Sequence, residues 1–176
     1  VLVDIGPESD PRGIVRISGK DLNLLAQDGR LTGHFALSLP DDAAQSPVLD
    51  MRVDFSDMNG DHAANYYPLT LPPVLRDWLT SAVVSGRVTT GHALFTGAVR
   101  DFPFRDGGGR FEVRAHVSNG VFQYLPGWPG IENIEADLLF SGPGLSVTSN
   151  QGRIRGLDVG RVAVTVADLR PPQGAQ

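Results

Sequence analysis

Apolar side chains recur at every second residue over most of this sequence, and that period constrains the fold more than any other feature. Leu31, Gly33, Phe35, Leu37 and Leu39 alternate with Thr32, His34, Ala36 and Ser38. Leu49, Met51, Val53 and Phe55 alternate with Asp50, Arg52 and Asp54. Phe111, Val113, Ala115 and Val117 alternate with Arg110, Glu112, Arg114 and His116, and Val162, Val164 and Val166 alternate with Arg161, Ala163 and Thr165. A period of two places each apolar set on one face of a strand. Strands buried on both faces would instead read as continuous apolar runs, so the pattern predicts antiparallel strands with one wet and one apolar face. Most of the 21 glycines and 13 prolines fall between these runs. The breaks lie at Gly29, Gly60, Gly107-Gly108-Gly109, Asn119-Gly120, Gly142-Pro143-Gly144 and Asn150-Gln151-Gly152. Asn119-Gly120 reads as a two-residue hairpin turn, because both residues tolerate positive φ. Roughly eleven or twelve strands result, spaced as in an all-β meander.

One stretch has a different period. Leu75, Trp78, Leu79 and Ala82 fall at helical spacing, Pro73 suits a first helical position, and Gly86 suits the residue just past a helix end. The expected organisation is a single β-rich segment over 1–176: strands over 1–66, a short helix over 73–85, and strands over 87–169. Leu75, Trp78 and Leu79 form the stripe that packs the helix on the sheet, with Trp78 buried. The chain opens on the strand-like Val1-Leu2-Val3-Asp4-Ile5 without Met and trails off after Asp168-Leu169, so it reads as a piece of a longer protein.

Such a sheet raises a question of cover. About eleven strands at ~4.8 Å spacing make a sheet roughly 50 Å wide. With strands of five or six residues its apolar face is on the order of 1,000 Å². A helix of about thirteen residues covers only about 200 Å² of that. Either the sheet closes on itself as a sandwich or barrel, or it curls into an open trough whose apolar wall is a binding surface.

Composition and motifs exclude most chemistry. Fifteen Lys+Arg against 20 Asp+Glu leave a net charge of −5, which argues against nucleic acid as a partner. Hydrophobic residues make up 41% and no apolar run is long enough to span a membrane. The absence of cysteine removes disulfides, thiolate metal sites and thiol nucleophiles. Asp57-Met58-Asn59-Gly60-Asp61 starts like a calcium loop but has His62 at the sixth position and Pro68 at the twelfth, so it reads as a turn rich in Asx residues. His34, His62, His92 and His116 show no metal-ligand spacing. The Gly107–Gly109 run lacks a phosphate-loop frame, Asp101 and Asp106 flank a loop as solvated carboxylates, and Lys20 is the only lysine. The expectation is a protein without catalytic residues, metal or cofactor.

The second half carries an unusual series: Gly97, Asp101-Phe102-Pro103-Phe104-Arg105-Asp106, Gly109-Arg110-Phe111-Glu112-Val113, Tyr124-Leu125-Pro126-Gly127-Trp128-Pro129 and Ile134-Glu135-Ala136-Asp137-Leu138-Leu139-Phe140. Preceded by Tyr67-Pro68, Leu71-Pro72 and Trp78-Leu79, it resembles the central region of the YhdP family, AsmA-like proteins of the Gram-negative envelope, over roughly residues 65–170. The resemblance implies a fragment of an inner-membrane-anchored periplasmic protein linked to lipid transport and outer membrane biogenesis. It implies a mainly β fold: a curled antiparallel sheet forming an open, taco-like groove. Phospholipid acyl chains would slide along the inside between the inner and outer membranes. Phe35, Leu37, Met51, Val53, Phe55, Phe111, Val113 and Ala115 would line the groove, while Arg52, Glu112 and Arg114 face outward. The expected partners are phospholipid acyl chains and neighbouring β-segments of the same parent chain, with membrane contact only through other parts of the parent. The alternative is a closed β-sandwich, a structural or protein-interaction module of the bacterial envelope without lipid binding.

Overall fold

The alternating runs pair into one antiparallel sheet. The computed structural model describes residues 2–4, 14–26, 28–66 and 73–170. Its strands are β1 (Leu2–Asp4), β2 (Ile14–Ala26), β3 (Gly29–Pro40), β4 (Val48–Asn59), β5 (Val83–Ala98), β6 (Arg110–Phe122), β7 (Ile131–Ser141), β8 (Gly144–Ile154), β9 (Leu157–Val159) and β10 (Val162–Val166). The order across the sheet is β1-β2-β3-β4-β5-β6-β7-β8-β10, with β9 pairing the far end of β8. The sheet is an open meander. Its end strands β1 and β10 do not pair with each other, and all ten strands of the described residues lie in this one layer. A sandwich needs a second sheet at about 10 Å, and the described strands provide none.

The register carries the apolar positions from strand to strand. Phe35 lies opposite Met51, Met51 opposite Phe95, and Phe95 opposite Phe111. Two residues along, Gly33, Val53, Ala93, Val113, Phe140 and Leu145 form a second row. Leu31, Phe55, Gly91, Ala115, Leu138 and Val147 form a third. Directly opposed residues share a face, so one side of the sheet is apolar over six or more strands.

Bulges interrupt this ladder and bend it. Register shifts fall between Gly19 and Leu22 in β2, Val117 and Gly120 in β6, and Glu132 and Glu135 in β7. Inside them Asp21, Asn119 and Asn133 take φ of 52°, 50° and 53°. Asp and Asn enter the left-handed region more readily than other side chains, and a bulge bends and twists its strand. Asn119-Gly120 is therefore a bulge inside β6 and not the expected hairpin turn. The positive φ that suited a turn serves the bend, and β6 continues to Phe122. Asn150-Gln151-Gly152 likewise lies within β8. The break at Gly142-Pro143 is a two-residue hairpin, with Ser141 opposite Gly144.

The helix α1 spans Pro73–Ala82, three residues shorter than expected. Thr80 Oγ1 donates to the Arg76 carbonyl at 2.8 Å and Ser81 Oγ to that of Trp78 at 2.8 Å. Such back-bonding competes with the helical ladder, and the β-branched Val83-Val84 pair that follows is already β5. Gly86 sits inside β5 at φ 148°, not at a helix end. The residues before the helix also depart from the strand expectation: Gly60–Tyr66 form a 3-10 segment. Trp78 is half-buried, not buried. Its ring meets Phe122 and Tyr124 edge-on at 5.8 and 5.9 Å, and its Nε1 donates to the Tyr124 carbonyl at 3.2 Å. Leu79 is half-buried as well, and the Leu75 side chain lies outside the described residues.

At the other end of β5, the segment 99–109 folds back over the apolar face. Phe104 packs edge-on against Phe95 at 5.2 Å, and Phe102 against Phe111 at 5.0 Å. The Phe104 ring occupies space that Cβ atoms on Gly97 and Gly109 would fill; on Gly97 the approach would be 2.8 Å. This explains why the Phe-Pro-Phe motif is bracketed by those two glycines. Arg105 donates to both carboxylate oxygens of Asp168, at 3.0 and 2.9 Å, tying the segment to the chain just past β10. Met58, Ala82, Phe95, Phe104 and Ala136 are the buried apolar residues among those described, and no large side chain is fully buried.

Two expectations follow. Phe104 is more enclosed than Trp78, so Phe104→Ala should destabilise by about 3–5 kcal/mol and Trp78→Ala by about 1–3 kcal/mol. Denaturant melts of the two variants giving the reverse order would refute the packing described. The Arg105 contact, followed by the Arg170 backbone N–H, holds the Asp168 carboxyl well below the usual carboxylate range. Its stabilisation is present above the unfolded value of about pH 4 and fades as pH falls through the lower folded value. Asp168→Asn should therefore melt below the natural chain at neutral pH, with the gap closing in strong acid. A gap that stays constant across pH would show that the ion pair is not its source.

Candidate lipid-facing surface

The register brings the eight expected lining residues together. Phe35 and Leu37 lie on β3, Met51, Val53 and Phe55 on β4, and Phe111, Val113 and Ala115 on β6, all on the apolar face. Each is half-buried. That state separates them from a closed core, where such side chains would lose nearly all contact with water, and from scattered surface residues. β5, absent from the expected lining, runs between β4 and β6 and contributes Gly91, Ala93 and Phe95 to the same face. Their inclusion needs the strand order, since β5 also carries His92, Leu94 and Thr96 and alternates less cleanly.

The eight residues do not share one environment. Phe111 is in contact with Phe102 and lies 6.4 Å from Phe95 by ring centroids, so it belongs to the aromatic cluster at one end of the face. Val53, Val113 and Ala115 lie away from that cluster toward the middle of the strands. The helix closes the other end of β5 through Trp78 and Phe122. A Cβ on Gly120 would lie 3.4 Å from Val117 Cγ1, so Gly120, and Phe122 two residues on, share the apolar side with Val117. The apolar face is thus flanked at both strand ends by aromatic structure, and no second sheet of the described residues lies over its middle.

The opposite face is charged. Arg52 lies opposite His34, and Arg114 opposite His92. Glu112 accepts from Arg110 at 2.8 Å and from Arg114 at 2.6 Å, and these hydrogen bonds hold its carboxyl below the usual range. His92 pairs with Asp54. His116 Nδ1 lies 2.8 Å from Asp137, which raises the imidazole's affinity for a proton, and its Nε2 is 3.5 Å from Glu135. Exposed pairs such as these contribute little to stability. Their effect is to keep this face hydrated, which fixes the other as the apolar one. Two open hollows of about 680 and 340 Å³ have linings that include Thr32, His34 and Asp50, and His92, Arg114 and Asp137.

Among the described residues no polar or charged side chain is buried, and no group of three His, Asp or Glu side chains is gathered as a metal site. Of the stretch expected as a turn, Asp57–Asn59 belong to β4, and the Asx contact is at its end, where Asn59 Oδ1 accepts the Asp61 N–H at 3.0 Å. No described helix is long and apolar enough to cross a membrane.

The family model described as YhdP protein matches residues 11–175. The intermembrane phospholipid transporter YhdP of Escherichia coli (strain K12) is 25% identical over 154 residues, covering 87% of this chain and 12% of that protein. No solved structure matches. With the family model spanning almost the whole of an open, one-layered sheet, the chain belongs to the YhdP family.

Proposed function

We propose that this region carries phospholipid acyl chains along the apolar face of its sheet, as one stretch of a longer envelope protein that moves lipid between the inner and outer membranes. The observation that carries the reading is the uncovered apolar middle of the sheet. Rows of apolar side chains cross at least six strands in register, and no second layer lies over them among the described residues. The family relative named as an intermembrane phospholipid transporter supports the choice of ligand. Its much greater length supports the view that this chain is one section of a longer path.

The mechanism asks little of individual residues. Each methylene moved from water onto an apolar wall gains about 0.8 kcal/mol. Val53, Val113 and Ala115 offer no hydrogen bond or charge to hold a chain at one place, so a lipid tail gains wherever it lies and can slide. Headgroups stay in water at the open side. Nothing in this scheme needs a catalytic residue, a metal or a cofactor. The outer edges of β1 and β10, the end strands of the described sheet, are where neighbouring β-segments of the parent would add strands and prolong the wall. Such a path belongs in the periplasm, with membrane contact made elsewhere in the parent.

The test uses two adjacent positions on opposite faces. In the full-length protein, Val113→Cys and Arg114→Cys are each labelled with a thiol-reactive photo-crosslinker and exposed to phospholipid. Cross-linked lipid is expected at 113 and not at 114. Equal yield at both, or none at 113 in a folded protein, would sink the proposal. The free edges add a second expectation. This chain alone should self-associate as its concentration rises, and a strict monomer by sedimentation at millimolar protein would count against available edges.

A further inference from the structure

We propose that Gly19 and Gly91 set the clearance above the apolar wall by giving the rings of Phe35 and Phe55 a place to lie flat. The inference rests on the lipid-carrying reading above and assigns a positioning role within it.

Gly19 lies directly opposite Phe35 in the β2–β3 pair, and Gly91 directly opposite Phe55 in the β4–β5 pair. A Cβ on Gly19 would come within 2.6 Å of Phe35 Cε1. A Cβ on Gly91 would overlap Cε2 and Cζ of Phe55 and approach its Cδ2 to 2.8 Å. The far edge of each ring therefore reaches across the gap of about 4.8 Å between strands and rests on the neighbouring backbone. Side chains on a sheet ordinarily stand roughly perpendicular to it. These two rings lean over instead, Phe35 toward β2 and Phe55 toward β5.

The backbone does not require glycine at either site. Gly97 takes φ 136°, which few side chains tolerate, whereas Gly19 and Gly91 lie outside the left-handed region. At Gly91 the nearest obstacles are all atoms of the Phe55 ring; at Gly19 they are Phe35 and the Leu22 side chain. What each glycine supplies is the missing Cβ. Next to Gly91 on the same face of β5 stands Ala93, with Ala115 opposite Gly91 on β6. The middle of the wall is thus built from small residues and a flattened ring. A methyl group at 91 would evict the ring. Staggered χ1 wells leave it few alternatives, and those away from β5 raise it off the wall into the path of a sliding chain.

The experiment measures passage and ring position separately. In the full-length protein with the crosslinker at Val113→Cys, Gly91→Ala should lower photo-crosslinking to phospholipid several-fold. Adding Phe55→Leu to Gly91→Ala should restore it, because the obstructing ring is gone. The pair Gly19→Ala and Gly19→Ala/Phe35→Leu repeats the test on another strand, should the first variant fold poorly. By NMR of this chain, the Gly91 Hα protons should be shifted upfield by the ring above them, and Phe55→Leu should abolish the shift. Undiminished cross-linking in Gly91→Ala overturns the proposal while leaving the lipid reading intact. So does a loss that Phe55→Leu fails to restore, or an unshifted Gly91 signal. No cross-linking at 113 in the protein that retains Gly91 and Phe55 overturns the lipid reading and this proposal with it.

Discussion

A sheet with one layer has only a small core to lock it, so its order depends on the hydrogen-bonded register. Because side chains alternate, a slip of one residue between any two strands would turn the whole apolar set of one strand to the wet side. From β3 to β6 the pairs Phe35–Met51, Met51–Phe95 and Phe95–Phe111 hold phase, and further along the strands phase passes through β7 and β8 to Val147. The charged face reinforces this. His92 meets Asp54 only if β4 and β5 are in step, and His116 meets Asp137 only if β6 and β7 are in step. Each pair adds little stability, yet each is lost in a slipped register, so together they favour one alignment over its neighbours.

The ends of the strands solve a different problem. An apolar face left open in its middle still needs rims that keep their shape. One rim is the segment 99–109, anchored by Phe104 between Gly97 and Gly109 and by Arg105 on Asp168. The other is α1 with Trp78 against Phe122. Aromatic rings at both rims bury area at the cost of few ordered residues. Buried packing is thus concentrated at the rims and in Met58 and Ala136, away from the centre where the small residues of β5 lie.

Much of this was legible in the sequence. Alternation in Phe35, Val53 and Val113 marks the strands and their apolar sides, while the mismatch between one helix and so wide a face leaves both a closed sandwich and an open trough, and only the resemblance to the YhdP family favours the trough. Three features were not legible, each for a physical reason. Asn119-Gly120 has the chemistry of both a turn and a bulge, and only the partner strand decides between them. Helical spacing in Leu75, Trp78, Leu79 and Ala82 says nothing of where a following strand begins to compete for the backbone. The seats for Phe35 and Phe55 require knowing which residue stands opposite: Gly91 is thirty-six positions from Phe55, and their contact exists only through the β4–β5 register.

An open apolar wall and a stable fold place opposing demands on the same residues. Filling the middle of the face with large, interlocking side chains would bury more area, but it would close the surface that a ligand needs. Here the middle is built from small residues, and on the proposed lipid-carrying reading the burial forgone there would be recovered by the ligand. A lipid tail lying across Val53, Ala93 and Val113 removes apolar area from water on both partners, at roughly 25 cal/mol per Å². Anything that binds the folded sheet and not the unfolded chain stabilises the fold. On this account cargo and scaffold are thermodynamically coupled, and a tail leaving one stretch of wall must be passed to an equivalent stretch for that stabilisation to be kept. A repeated, featureless wall meets that condition because neighbouring positions offer nearly equal free energy, which is what allows a chain to move along it without a trap.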